Sequence, residues 1–155
     1  KKTDEFFFKE WIFQRQPEGE GNHRRIRVRT DGKTTWMTYK ANKTLAVDST
    51  EEVELTVSSA EDAAKFLKAA DVPLIRYQEK KRIRYVLDGI IFELDFWPRI
   101  PMVVEIEASS EVEVKKGAKL LGLRWEDAIF VDQKFVHSDF YGIKLDEITD
   151  YRFEG

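Results

Sequence analysis

"KKRIRYVLDGIIFELDFW", Lys80–Trp97, decides how this chain folds. From Arg82 to Leu87 charged and apolar residues alternate, so Arg82 and Arg84 share one face of a strand and Ile83 and Tyr85 the other. Asp88-Gly89 then supplies the pair of residues that a tight hairpin turn needs. "IIFELDFW" returns with the same period, Glu93 and Asp95 on one face and Phe92, Leu94 and Phe96 on the other. A hairpin with one charged and one apolar face belongs in an antiparallel sheet that covers a core on one side.

The same grammar recurs on both sides of this hairpin. "RIRVRTDGKTTWMTYK" (Arg25–Lys40) places Arg25, Arg27 and Arg29 opposite Ile26 and Val28. It turns at Asp-Gly and returns with Thr38 and Lys40 opposite Met37 and Tyr39. "EEVELTV" (Glu51–Val57) sets Glu52 and Glu54 against Val53 and Leu55. "MVVEIEA" sets Glu105 and Glu107 against Val104 and Ile106. The aromatic "EFFFKEWIFQRQ" (Glu5–Gln16) fits a strand or a strand pair. "PEGEGN" (Pro17–Asn22) has loop chemistry, and "ANKTLAVDST" reads as a polar connector.

Two helices interrupt the strands. "SSAEDAAKFLKAADV" is capped by Ser59, with Asp62 three residues on, and Phe66 and Leu67 are expected to face the core. "SSEVEVKKGAKLLG" is capped by Ser109 or Ser110 and stopped by Gly122, with Val112, Ala118 and Leu121 on its apolar face. After Gly122 the pattern weakens; a short helix around Glu126–Phe140 and an irregular tail are expected. Strands joined by tight turns, with helices between them, predict an α+β fold on an antiparallel sheet.

With 155 residues, 42% of them hydrophobic, the chain can bury the core of one domain, here 1–155. Charged residues reach 35% yet sum to −3, so bulk charge attracts neither nucleic acid nor an acidic membrane. Charge chemistry must therefore come from local clusters. The absence of cysteine removes disulfides and thiolate metal sites, and fits a cytoplasmic location. No apolar run reaches the length of a membrane span, and no signal peptide is evident.

Any one strand with a charged face is explained by solvent and cross-strand ion pairs. Six strands doing so together ask for more, because Arg and Glu dominate where Thr, Ser, Gln and Lys are usual, and Arg suits phosphate. A sheet closed with that face inward would be a tunnel. Carboxylates crowded inside it repel one another unless a cation intervenes. A hard divalent cation, Mg²⁺ or Mn²⁺, takes oxygen ligands and leaves room for substrate phosphates.

The ordered set of "RIRVRTDGKTTWMTYK", "EEVELTV", "KKRIRYVLDGIIFELDFW" and "VVEIEASSEVEV…LLGL" resembles the CYTH family, also called triphosphate tunnel metalloenzymes. That family includes class IV adenylate cyclases, thiamine triphosphatases and inorganic triphosphatases. The resemblance spans roughly Arg25 to Leu123. It implies an eight-stranded antiparallel, tunnel-like β-barrel with flanking helices, a bound Mg²⁺ or Mn²⁺, and a triphosphate-bearing substrate such as tripolyphosphate, thiamine triphosphate or ATP. It implies Lys40, Arg27 and Arg29 as catalytic phosphate ligands. Arg25, Arg82 and Arg84, with Glu52 and Glu54, would bind substrate. Asp95, Glu105, Glu107 and Glu93 would surround the metal. Because members are often dimers, a homodimer is among the expected partners.

In one respect the chain departs from the pattern. The family opens with an acidic strand E-x-E-x-K, and "KKTDEFFFKE" does not fit it. Either that strand precedes Lys1 or this member lacks it; in the second case a polyphosphate- or nucleotide-binding module without turnover is the alternative to an enzyme. A barrel with a purely structural salt-bridge network is the third reading. Between hydrolysis and cyclisation, hydrolysis needs fewer parts. His23 and His137 lie in unlike contexts, so a hydrogen-bonded or surface role is expected of each rather than a shared metal. The four tryptophans fit core packing or a tunnel rim better than base stacking.

Overall fold

The structure is a computed structural model that describes residues 1–14, 24–42, 50–131 and 133–154, with Asn42 and Thr50 described by backbone alone. The expected loop Pro17–Asn22, His23 and most of the connector Ala41–Thr50 lie outside the described residues. The strands are β1 (Lys2–Gln14), β2 (Arg24–Thr30), β3 (Thr35–Asn42), β4 (Thr50–Val57), β5 (Leu74–Leu87), β6 (Ile90–Phe96), β7 (Val103–Glu107) and β8 (Asp150–Tyr151). The helices are α1 (Ala60–Ala69), α2 (Glu111–Leu120) and a short α3 (Gln133–Phe135) that runs on as a π-helical turn, Val136–Phe140. The sheet has eight strands in the order β4-β3-β2-β1-β5-β6-β7, and β8 pairs with β5. Among the described residues this path has two ends, β4 and β7.

Both expected hairpins form. Arg82 lies opposite Asp95 and Arg84 opposite Glu93 across β5 and β6. Asp88 and Gly89 both have positive φ, 52° and 80°, as the two centre residues of a type I′ turn require. Between β2 and β3, Gly32 takes φ 87°, and the Asp31 carboxylate accepts the backbone N–H groups of Lys33 and Thr34 at 2.9 and 2.8 Å. The aromatic segment is one strand, not a pair. β5 begins at Leu74, eight residues before the predicted Arg82.

The chain divides into two compact units. One contains Phe7–Glu79 and Ile148–Arg152. Its core is Phe13, Val28, Ala60, Ala64 and Leu67, with Trp11, Ile26 and Met37 packed on it. Ser59 caps α1 as expected, its Oγ accepting the Asp62 N–H at 3.1 Å. Phe66, expected to face the core, is 68% exposed. The inner stripe is Ala60, Ala64 and Leu67, and one residue's rotation, about 100°, takes Phe66 off it. Val53 and Leu55 on the terminal strand β4 are also exposed rather than buried. In this unit β8 pairs parallel to β5 through Tyr77–Asp150 and Gln78–Tyr151, an exception to the expected antiparallel pattern.

The other unit contains Lys1–Phe6, Lys80–Glu147 and Phe153–Gly155. There α2 is capped by Ser110, whose Oγ accepts the Glu113 N–H at 3.3 Å. Val112 and Leu121, predicted for its apolar face, are exposed, and Gly117 and Ala118 are buried in their place. A Cβ added at Gly117 would lie 2.9 Å from Ile106 Cγ2 and 3.1 Å from Ile90 Cγ2. The helix thus approaches β6 and β7 too closely for larger side chains on its inner stripe. The segment expected to be a short helix over Glu126–Phe140 is broken. A 3-10 turn, Trp125–Asp127, precedes α3 and its π-helical extension, and a second, Leu145–Glu147, follows.

Candidate functional site

The charged strand faces are buried on β1, β5 and β6, whereas Glu52 and Glu54 on β4 and Glu107 on β7 are exposed. Glu10 is 1% exposed, and Glu93 and Asp95 are fully buried. Thr38, Arg76, Gln78 and Lys80 are buried too. A buried charge is tolerated only when paired and hydrogen-bonded, so the partners of each group matter.

In the unit that holds Lys80–Glu147, Arg82 is the hub. Its Nε and Nη2 donate to Asp95 Oδ1 and Oδ2 at 2.5 and 2.6 Å, a two-bond fork. Nη2 also donates to Glu105 Oε2 at 2.8 Å, and Nη1 pairs with Glu93 Oε2. Arg84 donates to Glu93 Oε1 from Nε and Nη2 at 2.8 and 2.5 Å. Lys80 Nζ donates to Asp95 Oδ2 at 3.1 Å and lies 5.1 Å from the centre of the buried Trp97 ring. Burial alone would raise the Asp95 carboxyl. The Arg82 hydrogen bonds and the charges of Lys80 and Arg82 outweigh it and hold Asp95 below the usual carboxylate range. Burial likewise opposes the Arg82 charge, but Asp95, Glu93 and Glu105 hold its proton more tightly than usual.

The sequence-predicted acids separate into two groups. Glu93, Glu105 and Glu107 each bring a carboxylate oxygen within 4.8 Å of the others. They meet because Glu93 pairs with Glu105, and Ile91 with Glu107, in the β6–β7 register. Asp95 is not in that group; it is taken up by Arg82 and Lys80. Gln133, from the start of α3, donates from Nε2 to Glu105 Oε1 at 3.2 Å. Its own Oε1 is buried without a hydrogen-bond partner among the described residues.

In the unit that holds Phe7–Glu79, the polar face of β1–β3 is basic around one buried acid. Glu10 Oε2 accepts from Gln78 Nε2 at 2.5 Å, and Gln78 Oε1 accepts from Arg76 Nε at 2.7 Å. Arg27 Nη1 lies 3.9 Å from Glu10 Oε1. The Arg29 guanidinium sits over the Phe8 ring at 4.6 Å. Lys40 pairs with Glu52 at 3.0 Å, and Thr38 donates to Glu54 at 2.7 Å, each across the β3–β4 register. Arg25 is opposite Lys40 on the same strand pair.

Glu10, Arg76, Gln78, Lys80 and Gln133 were not singled out in the sequence. Period two carried backward from Arg82 and Arg84 reaches Lys80, Gln78 and Arg76, so that signal was present. Glu10 stands between the aromatic runs of β1 with no acid two positions away, and Gln133 follows no strand pattern at all.

A family model described as the CYTH domain matches residues 12–125. The chain belongs to the CYTH family. Solved structures of similar fold include the PH1012 protein of Pyrococcus horikoshii OT3, at 21% identity over 96% of this chain and 86% of that one, TM-score 0.65. A conserved hypothetical protein of Pyrococcus furiosus matches at 25% identity over 81% and 79%, TM-score 0.61. The PH1819 protein of P. horikoshii OT3 matches at 19% identity over 79% and 75%, TM-score 0.52. None of the curated proteins compared matches the chain. The CYTH match holds both hairpins and both acidic strands; Glu10 precedes it and Gln133 follows it.

CYTH proteins depend on a divalent metal, and the donors here fit one. Glu93, Glu105 and Glu107 offer hard carboxylate oxygens. Among the described residues Glu107 has no ion-pair partner. The four acids Glu93, Asp95, Glu105 and Glu107 exceed the cations Lys80, Arg82 and Arg84 by one charge.

Proposed function

We propose that this CYTH protein is a divalent-metal-dependent phosphoryl-transfer enzyme acting on a triphosphate, by hydrolysis in preference to cyclisation. The observation that supports it best is the burial of charged side chains on β1, β5 and β6: Glu10, Arg76, Lys80, Glu93 and Asp95. Buried ion pairs add little net stability, and apolar replacements commonly serve as well or better, by about 1–4 kcal/mol. A face of buried Arg, Lys and Glu is thus better accounted for by a charged ligand than by folding alone.

In this reading Glu93, Glu105 and Glu107 hold the cation, Mg²⁺ or Mn²⁺. Bound there, it would polarise phosphate oxygens and balance charge that develops on the leaving group. Asp95 anchors Arg82 and Lys80 instead of ligating, which narrows the metal set expected from the resemblance. Arg82 and Arg84 hold the acidic group in place before substrate arrives; phosphate oxygens then compete for their N–H donors. In the other unit, Arg25, Arg27, Arg29 and Lys40 on β2 and β3 match the family's pattern of phosphate ligands. Glu52 and Glu54 orient Lys40 and Thr38. Hydrolysis asks only for a water as nucleophile; cyclisation asks for a nucleoside pocket that places a ribose 3′-hydroxyl. A cytoplasmic location and a homodimer belong to the same proposal.

The second reading, a polyphosphate- or nucleotide-binding module, draws on β1. The acid buried there is Glu10, already held by Gln78, and β1 itself carries no E-x-E-x-K. Phosphate and pyrophosphate release separates the two. Tripolyphosphate, thiamine triphosphate and ATP are supplied in turn with Mg²⁺ or Mn²⁺, with Glu107→Gln as control. Metal-dependent turnover that falls at least tenfold in Glu107→Gln is expected, and the product names the reaction. Tight binding without product would favour the module.

A further inference from the structure

We infer that Gln133 is a positioning residue for Glu105 and sets how tightly the Glu93–Glu105–Glu107 group binds a divalent cation. The inference rests on the metal assignment proposed above and adds a residue outside the CYTH match.

Glu105 is held from two sides by unlike donors, where Glu93 is held by two arginines. Arg82 Nη2 donates to its Oε2 at 2.8 Å and Gln133 Nε2 to its Oε1 at 3.2 Å. These donors differ in kind. The Arg82 guanidinium also serves Glu93 and Asp95 and carries a charge that a cation would oppose. The Gln133 amide is neutral, so it fixes the carboxylate without opposing a cation's charge. Donors of this sort around metal ligands typically change affinity by about 10–100-fold.

Gln133 is itself fixed. His137 is fully buried, one helical turn along, and its Nδ1 lies 2.8 Å from the Gln133 carbonyl oxygen. Its ring meets the buried Trp97 edge-on, 5.3 Å between centres. The start of α3 is therefore pinned to a packed aromatic pair, and a side chain on it keeps its direction. The second observation is Gln133 Oε1, buried and without a hydrogen-bond partner among the described residues. An unsatisfied buried oxygen is costly unless something takes its lone pairs. A carbonyl oxygen is a ligand that suits a hard cation, and it accepts a hydrogen bond from a water bound to one. Structural duty toward Glu105 alone would have used the N–H side and left the carbonyl facing solvent or a protein donor.

The test is Mn²⁺ binding by the whole chain, followed by calorimetry and by the Mn²⁺ electron paramagnetic resonance signal. Melting of the metal-free protein is measured alongside. The variants are Gln133→Met, similar in length but without the amide, Gln133→Asn, which withdraws it by one carbon, and Glu107→Gln. Wild type is expected to bind Mn²⁺ and Glu107→Gln to lose it. Gln133→Met is expected to bind about tenfold more weakly with its metal-free melting temperature unchanged. Gln133→Asn should fall between the two. Wild-type affinity in Gln133→Met would overturn the inference and leave the metal assignment standing. Weaker binding accompanied by an equal loss of metal-free stability in both Gln133 variants would also overturn it, showing a structural role. No Mn²⁺ binding by wild type would sink the metal assignment and this inference together.

Discussion

Gly117 shows how one residue's size can set the distance between a helix and a sheet. Alanine would improve helix propensity by about 1 kcal/mol. Its Cβ would meet a branched Ile106 methyl at 2.9 Å, and overpacking of this kind costs about 1–3 kcal/mol. The clash should win, so Gly117→Ala is expected to lower stability by about 1 kcal/mol in urea unfolding; a gain would mean that α2 can lift off freely. Asp31 is a second single-residue case. Burial pushes its carboxyl up, but the N–H groups of Thr34 and Lys33 outweigh that and hold it below the usual value. The stability it contributes is therefore complete above the unfolded-state value of about 4 and is lost as pH falls through the lower folded value. Asp31→Asn should be less stable than wild type by about 1 kcal/mol at pH 7, with the gap narrowing as pH falls below about 4. Melts across that range check it; a gap that persists in acid would contradict the carboxylate's role.

At the scale of elements, the hairpins were legible because period two and Asp-Gly turns act over a few residues, whatever the rest of the chain does. Lys80–Trp97 needed nothing else. The first half of β5 was hidden for a related reason. Arg76, Gln78 and Lys80 bury a polar face, so the usual guide of apolar-in and polar-out fails there. Phe66, Val112 and Leu121 misled because an apolar side chain on a helix predicts burial only where its stripe meets a partner. β8 has two residues and pairs in parallel with a strand some seventy positions earlier, which no local pattern reveals. Of the candidate site, the residues on alternating strands were visible; Glu10 and Gln133 needed tertiary structure to reach it. The β5–β6 ion pairs carry their own expectation. Arg82→Met strands Glu93, Asp95 and Glu105 and should cost about 3–5 kcal/mol. Adding Asp95→Leu removes one stranded charge and should recover part of that loss. A double-mutant cycle measures the coupling, and simple additivity would show that the pair is not energetically joined.

At the scale of the whole molecule, membership of the CYTH family and the burial of charged side chains on β1, β5 and β6 carry the functional account. Among the described residues no helix is long and apolar enough to cross a membrane. The buried charges have few ways to be satisfied: by one another, as here, or by a cation and an anion that replace those pairs together. The two states differ in what they do with ligand. The most direct measurement is thermal melting of the intact chain with Mg²⁺, with tripolyphosphate, and with both. A ligand at 100 times its dissociation constant stabilises by about 2.7 kcal/mol. For a chain of this length that is a rise of about 5–10 °C. The account predicts such a rise with both present, larger than either alone gives, and its loss in Glu107→Gln. No shift at millimolar concentrations of both would contradict it and leave the buried charges as a structural ion-pair network.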